Sequence, residues 1–181
     1  MKALTLVGFV LLAAQTRAAY GEGPTPAQPK PGPEIGKLAY YVGSWRGEGE
    51  AKAGPFGPGG KLSSSTTCEW FDGGFHLVCR GEEHGPTGTR TFLNIRAYDE
   101  KTQAYTEYGI SNLGETEYNT GGTIVGNKKT FAFDMDIDGK PTKLRYVEVQ
   151  LSPTLYTYEA AASTDGGPWT VIAAGKVTRV D

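Results

Sequence analysis

Histidine, cysteine and methionine each occur only twice in the 181 residues, and one short apolar run is the longest in the chain. A zinc-type centre needs three or four converging ligands. His76 and His84 with Cys68 and Cys79 do not assemble one, because strand alternation places His76 on the face opposite the cysteines. No Cys-x-x-Cys is present, so dithiol redox chemistry has no motif. Gly-x-Ser-x-Gly, His-Glu-x-x-His and the phosphate loop are also missing, leaving no recognisable catalytic arrangement. Asp134-x-Asp136-x-Asp138-Gly139 imitates the start of a calcium loop, but its twelfth position is Arg145 rather than Glu and its flanks read as strands. No metal or other cofactor is therefore expected.

The apolar run, Leu4–Ala14, falls well short of the roughly 20 residues a spanning helix needs. It follows Met1-Lys2 and precedes Thr16-Arg17-Ala18, the order of a cleaved secretory signal. Residues 1–18 are assigned to that signal, with cleavage near Ala18 or Ala19, and the mature protein is expected to be secreted or periplasmic. The formal charge of −2 becomes −4 once Lys2 and Arg17 are removed. Such a surface carries no polybasic footprint for nucleic acid or anionic lipid. Stable membrane insertion is not expected either.

What the chain does have is glycine (26), proline (11) and tyrosine (10), a composition of strands and tight turns. Proline is concentrated in residues 19–33, a polyproline-like linker with no core of its own. The domain is assigned to residues 34–181. Pro33 and Glu34 suit a helix start, and Leu38, Tyr41 and Val42 follow at helical spacing, so Glu34–Val42 is predicted as a short helix. Beyond Gly43 come about ten short alternating strands joined by hairpin-length turns. The predicted fold is all-β, an antiparallel up-and-down barrel, since closure removes the free edges of a large sheet.

Asp72-Gly73-Gly74 is a strong hairpin signal, because glycine tolerates the positive φ that tight hairpins need. Centring the hairpin there pairs Cys68 with Cys79 on the face that carries Trp70 and Leu77. A two-residue loop would space their Cα atoms about 5.5 Å apart and a four-residue loop about 4.5 Å. Both permit a disulfide, which an oxidising compartment favours over two buried thiols.

Alternation also assigns an interior face. Phe131, Phe133, Met135 and Ile137 share one side, with Leu144 and Tyr146 opposite them. Asp134, Asp136, Lys143 and Arg145 are expected as an exterior charge ladder. Leu93, Ile95 and Tyr108 are assigned inward, and Arg96, Tyr105 and Glu107 outward. After Tyr146 the apolar parity moves to Val147, Val149 and Leu151, which predicts a β-bulge at Tyr146-Val147. Without the bulge Glu148 would point inward.

Several of these residues carry a family pattern. Leu38-x-x-x-Val42-Gly43-Ser44-Trp45-Arg46-Gly47-Glu48-Gly49 resembles the start of calycin-like proteins, in which a Gly-x-Trp packs against an Arg near the end of the last strand. Arg179 is the matching residue. With Asp72-Gly73-Gly74-Phe75, Ala97-Tyr98-Asp99, Leu155-Tyr156-Thr157-Tyr158-Glu159 and Asp165-Gly166-Gly167-Pro168-Trp169, the chain resembles the bacterial family called domain of unknown function 1579. The resemblance implies a calycin-type barrel over residues 34–181 and a structural stacking of Arg179 on Trp45, without implying an activity. Nitrobindin-like barrels bind haem through a late-strand His, whereas both histidines here lie in the first half. Fatty-acid-binding relatives clamp a carboxylate with inward Arg and Tyr, a mechanism the outward assignment of Arg96 and Arg145 does not support.

Three functions follow as expectations. The first is a non-catalytic exported barrel holding a small apolar or amphipathic molecule, lined by Trp70, Leu77, Leu93, Ile95, Tyr108, Phe131, Phe133, Met135, Leu144 and Tyr146. The second is a structural or protein-interaction barrel filled by those side chains. The third is a hydrolase-type enzyme using an inward acid at Glu148, with or without Glu159 beside it.

Overall fold

The computed structural model describes residues 29–137 and 139–181. The assigned signal segment, most of the linker and Asp138 lie outside the described residues. Ten strands close into one antiparallel barrel in simple sequence order, β10 returning to β1. They are β1 (Gly43–Ala51), β2 (Gly60–Trp70), β3 (His76–Gly85), β4 (Gly88–Asp99) and β5 (Ala104–Ser111), then β6 (Thr116–Val125), β7 (Lys128–Ile137), β8 (Lys140–Ser152), β9 (Leu155–Thr164) and β10 (Thr170–Arg179). β6 is shared between its two neighbours in turn. Its register shifts around Gly121, so that residues 116–119 and Gly122 pair with β5 and residues 123–125 with β7.

The predicted helix is present but tighter than an α-helix. Pro33–Gly36 forms one α-helical turn, α1, which continues as a 3-10 helix over Lys37–Tyr41. Its buried residues, Ile35, Leu38 and Tyr41, recur every third position, the spacing that aligns side chains along a 3-10 helix. This segment plugs one end of the barrel against Cys68, Leu77, Cys79, Tyr105 and Phe131, with Trp70 packed at the margin. Polar contacts fix it in place. The Tyr105 hydroxyl donates to the Glu34 carbonyl at 2.8 Å, and the Trp45 indole N–H donates to the Tyr41 carbonyl at 2.9 Å.

The cysteine hairpin has the expected register. Cys68 pairs with Cys79 and Trp70 with Leu77, and the two sulfurs are bonded. Gly73 and Gly74 take φ values of +87° and +74°, open to glycine and costly for other residues. The ladder bond from the Phe71 N–H to the His76 carbonyl makes this the four-residue loop. The cysteine Cα atoms are accordingly at the shorter spacing, 4.1 Å.

Barrel closure brings the ends of the domain together. Trp45 pairs with Arg179 across β1 and β10, and the guanidinium lies 4.4 Å from the indole centroid. The same guanidinium donates to the Val42 carbonyl and, at 2.7 Å, to the Tyr40 carbonyl. Arg179 therefore joins the closing seam to the plug.

No bulge interrupts β8 at Tyr146-Val147. The β7–β8 ladder runs unbroken from Lys128↔Val149 to Ile137↔Lys140, and the irregularity falls between Gln150 and Ser152 opposite β9. Glu148 consequently keeps the inward parity of Leu144 and Tyr146. Among the described residues no ion pair joins the expected exterior ladder of Asp134, Asp136, Lys143 and Arg145, and Asp136 faces Pro141. Asp134 stands opposite Lys143, whereas Arg145 faces Ala132 and stacks its guanidinium 4.5 Å from the Trp169 ring centroid.

Candidate functional site

Between the plug and the opposite rim the barrel encloses a cavity of about 430 Å³. That volume lies within the ordinary range for small-molecule sites. Phe131, Phe133, Leu144 and Tyr146 line it, as alternation on β7 and β8 predicted. Trp45, Leu62, Phe92, Val177 and Tyr158 complete an apolar and aromatic belt. The Tyr146 and Tyr158 rings stack 5.8 Å apart within the belt. Gly122 on β6 makes room for Phe131, since a Cβ there would fall 2.3 Å from the ring.

The expected interior of β4 and β5 is inverted. Lining residues on β4 are Arg90, Phe92, Asn94 and Arg96, so Leu93 and Ile95 face outward. Glu107 lines the cavity from β5, whereas Tyr108 is 41% exposed on the outer face. The physical reason is continuity of the cysteine face. Leu77 and Cys79 point inward, and their partners on β4 are Arg96 and Asn94. Met135 continues the inward row of β7 but lies beyond the cavity lining at the rim, 39% exposed. Trp70 lies at the opposite end, packed beneath the plug rather than in the cavity wall.

The plugged end of the cavity is a charged floor. Arg96 Nε lies 2.6 Å from Glu107 Oε2, and the Asn94 amide donates to the other carboxylate oxygen at 3.2 Å. Lys129 Nζ lies 2.9 Å from Glu148 Oε1, with both side chains almost fully buried. Aromatic faces complete the shell: the Tyr41 centroid is 5.2 Å from the Arg96 guanidinium and 4.6 Å from Lys129 Nζ. Burial inside a barrel would ordinarily discharge these groups. For Glu107 burial pushes the carboxyl pKa up, but Arg96 and Lys129 more than reverse it and hold it below the usual value. For Arg96 burial opposes the charge, and Glu107 and Glu148 outweigh it. Lys129 titrates below an ordinary lysine because burial and neighbouring Arg96 together exceed the pull of Glu148 and Glu107. Tyr41, Tyr146 and Tyr156 are held protonated by burial and then by Glu148.

Two cations and two carboxylates leave this floor formally neutral. It is not fully satisfied, however. Tyr41 Oη, Lys129 Nζ and Glu148 Oε2 are buried without a hydrogen-bond partner. The Lys129–Glu148 approach is thus an ion pair that lacks hydrogen-bond alignment. Tyr41 likewise lies near enough to Glu148 to feel its charge without an aligned bond to it.

At the open rim Arg90 holds Glu115 at 2.7 Å and Glu117 at 3.7 Å. The suspected acid pair does not form, because Glu159 stands opposite Val147 on the outward parity of β9. His84 is at the surface, with Nε2 2.6 Å from Glu82 and Nδ1 3.0 Å from the Thr89 hydroxyl. Among the described residues no three His, Cys, Asp or Glu side chains converge to hold a metal ion.

A closed ten-stranded β-barrel with a plugged end and a lined interior is the class of protein defined here. The chain belongs to the family described as Protein of unknown function (DUF1579), which matches residues 30–179. Rv2717c from M. tuberculosis has a similar fold, with a TM-score of 0.58 at 13% identity over 83% of this chain and 99% of that one. A protein of the DUF3598 family from Nostoc punctiforme is more distant, with a TM-score of 0.41 at 11% identity over 79% of this chain and 48% of its own. No curated protein matches the sequence.

Proposed function

We propose that this protein is an exported, non-catalytic barrel that binds a small amphipathic molecule. The observation that carries the reading is the two-part cavity, an aromatic belt above a charged, hydrogen-bonding floor. A purely apolar ligand would leave the floor unmatched, so the amphipathic half of the original expectation is the one retained. Inward Arg96, with Tyr41 and Tyr156 nearby, also removes the earlier objection to head-group recognition. The Cys68–Cys79 bond fits an oxidising compartment, in keeping with export. Glu148 is tied to Lys129, which favours a structural or recognition role for it over that of a free catalytic acid.

Native mass spectrometry of the mature protein purified from its host's periplasm or medium tests this reading. A reproducible extra mass that leaves on denaturation is expected. A clean apo mass after gentle purification, together with no uptake of amphipathic probes, overturns it.

A second reading has its own observation. Leu93, Ile95, Tyr108 and Ile110 share the outer face of β4 and β5, and Tyr118 beside them is 68% exposed. Clustered outward apolar side chains favour a protein-interaction role. A Tyr118→Lys variant that lost a co-purifying partner while keeping cavity binding would support it.

A further inference from the structure

Asn119 is only 9% exposed, and it lines the cavity. It stands on β6 directly opposite Glu107, on the inner face of the barrel. Glu107 makes no bond to it, since its two carboxylate oxygens already accept from Arg96 and Asn94. On the other side β6 pairs with β7 only over residues 123–125, so no cross-strand neighbour reaches Asn119 from there. Among the described residues the Asn119 amide consequently has no hydrogen-bond partner. Tyr41 Oη, Lys129 Nζ and Glu148 Oε2 are sealed within the protein, whereas the Asn119 amide keeps contact with the cavity. Buried polar groups are nearly always satisfied by protein, water or ligand. This amide is a recognition group with both of its functions free.

A carboxamide presents an N–H donor beside a C=O acceptor in one plane. It pairs best with a group presenting the reverse order, as asparagine does on the edge of adenine. The walls of the same cavity are flat and aromatic. Phe92 and Phe133 line it, and the Tyr146 and Tyr158 rings lie stacked at an interplanar angle of 22°. From this we infer that the cavity takes an uncharged planar heteroaromatic ring whose lactam edge, an N–H beside a carbonyl, is read by Asn119. The ring N–H donates to Asn119 Oδ1, Asn119 Nδ2 donates to the ring carbonyl, and the ring faces rest on the aromatic belt. This step rests on the cavity-binding reading above and names its ligand class. Charge is limited by the pairs already in the walls. Arg96 is held by Glu107, Lys129 by Glu148 and Arg90 by Glu115, while Arg145 lies against Trp169. An anion would enter without a free cation, and an unpaired buried charge is strongly disfavoured. An aliphatic amide could meet Asn119 equally well but would leave the aromatic faces without a stacking partner.

The test is equilibrium dialysis of the oxidised protein against carbostyril, which has the lactam edge, and against quinoline, naphthalene, naphthoate and hexanamide at neutral pH. Carbostyril should bind tightest, roughly tenfold tighter than naphthalene for its two hydrogen bonds, with quinoline between them. Asn119→Leu should bring carbostyril down to the level of naphthalene and leave naphthalene unchanged. Asn119→Ser keeps a polar group but cannot form both bonds, so it should lose the preference likewise, and it serves as the second variant should Asn119→Leu fold poorly. Equal binding of carbostyril and naphthalene overturns the inference, as does a preference that survives in either variant. Tightest binding of naphthoate, or hexanamide binding as tightly as carbostyril, also overturns it. If no probe binds, naphthalene included, the cavity-binding reading itself fails and this inference with it. Ring probes that all bind alike leave that reading standing and remove only the lactam edge.

Discussion

Lys129 and Glu148 stand directly opposite each other on β7 and β8, with Nζ 2.9 Å from Oε1 and side chains only 1% and 2% exposed. Removing one partner leaves the other charged in a barrel interior, which costs about 3–5 kcal/mol. Glu148→Gln and Lys129→Met should each lower stability by that amount in urea titrations. Lys129→Met/Glu148→Leu should recover most of the loss, since apolar replacement of a buried pair is often neutral or stabilising. Equal, additive losses in the double variant would mean that the two residues do not act as a pair.

Arg179 joins three features: the Trp45 ring, the β1–β10 seam and the carbonyls of Tyr40 and Val42 on the plug. Arg179→Ala removes a charged donor from two carbonyls and a cation from the indole face, a loss of about 2–4 kcal/mol. Arg179→Lys should recover little, because a point charge cannot both fork to two carbonyls and stack. Trp45 fluorescence should shift to the red as the plug loosens. An Arg179→Lys variant with unchanged melting and unchanged emission would refute this structural role.

How far the sequence disclosed the barrel depended on where a turn or a covalent link fixed the parity. The Gly73-Gly74 turn and the paired cysteines fixed β2 and β3, and the aromatic rows of β7 and β8 fixed the opposite wall. On β4 and β5 Leu93, Ile95, Tyr108 and Ile110 are on the outside, and Asn94, Arg96 and Glu107 lie within beside Phe92. Hydrophobic alternation assumes an apolar interior, and this barrel instead buries a compensated set of charges. The corrective signal was available. Cys79 and Leu77 point inward, and the short turn between β3 and β4 carries that face onto Asn94 and Arg96. The opposite charges of Arg96 and Glu107, directly paired across β4 and β5, were a second clue. The 3-10 form of the plug was less accessible, because helical spacing over so few residues does not separate the two helix types. Cavity volume depends on side-chain packing, which alternation does not report.

The disulfide closes a separation of 11 residues within one hairpin. Chain-entropy arithmetic for a loop of that size gives about 3 kcal/mol. Reduction, or the Cys68→Ala/Cys79→Ala double variant, should lower the denaturant midpoint accordingly while leaving the barrel folded at neutral pH. The mass of the oxidised chain should be lighter by two hydrogens than that of the reduced form. A shift below about 0.5 kcal/mol would show that the unfolded hairpin already holds these residues together.

Alkaline stability follows from the tyrosines around the floor. Burial, then the negative charge of Glu148, raises the hydroxyl pKa values of Tyr41, Tyr146 and Tyr156 above the ordinary value of 10. Below that value both folded and unfolded chains keep these protons, and the contribution to stability is complete. Above it the unfolded chain releases protons that the folded chain retains, so stability falls as pH rises toward the folded-state values. Lys129 acts in the opposite direction but at lower pH, because its depressed folded pKa lets the folded chain release its proton before the unfolded chain does, an effect that is complete once the ordinary lysine value of 10.5 is passed. Above that value the three tyrosines act unopposed by it and stability falls. The urea midpoint should therefore decrease above pH 10.5, and phenolate absorbance should rise in two stages, exposed tyrosines first and the buried set only on unfolding. A single absorbance transition of all 10 tyrosines near their ordinary pKa, in a barrel still folded by circular dichroism, would contradict the buried placement of Tyr41, Tyr146 and Tyr156.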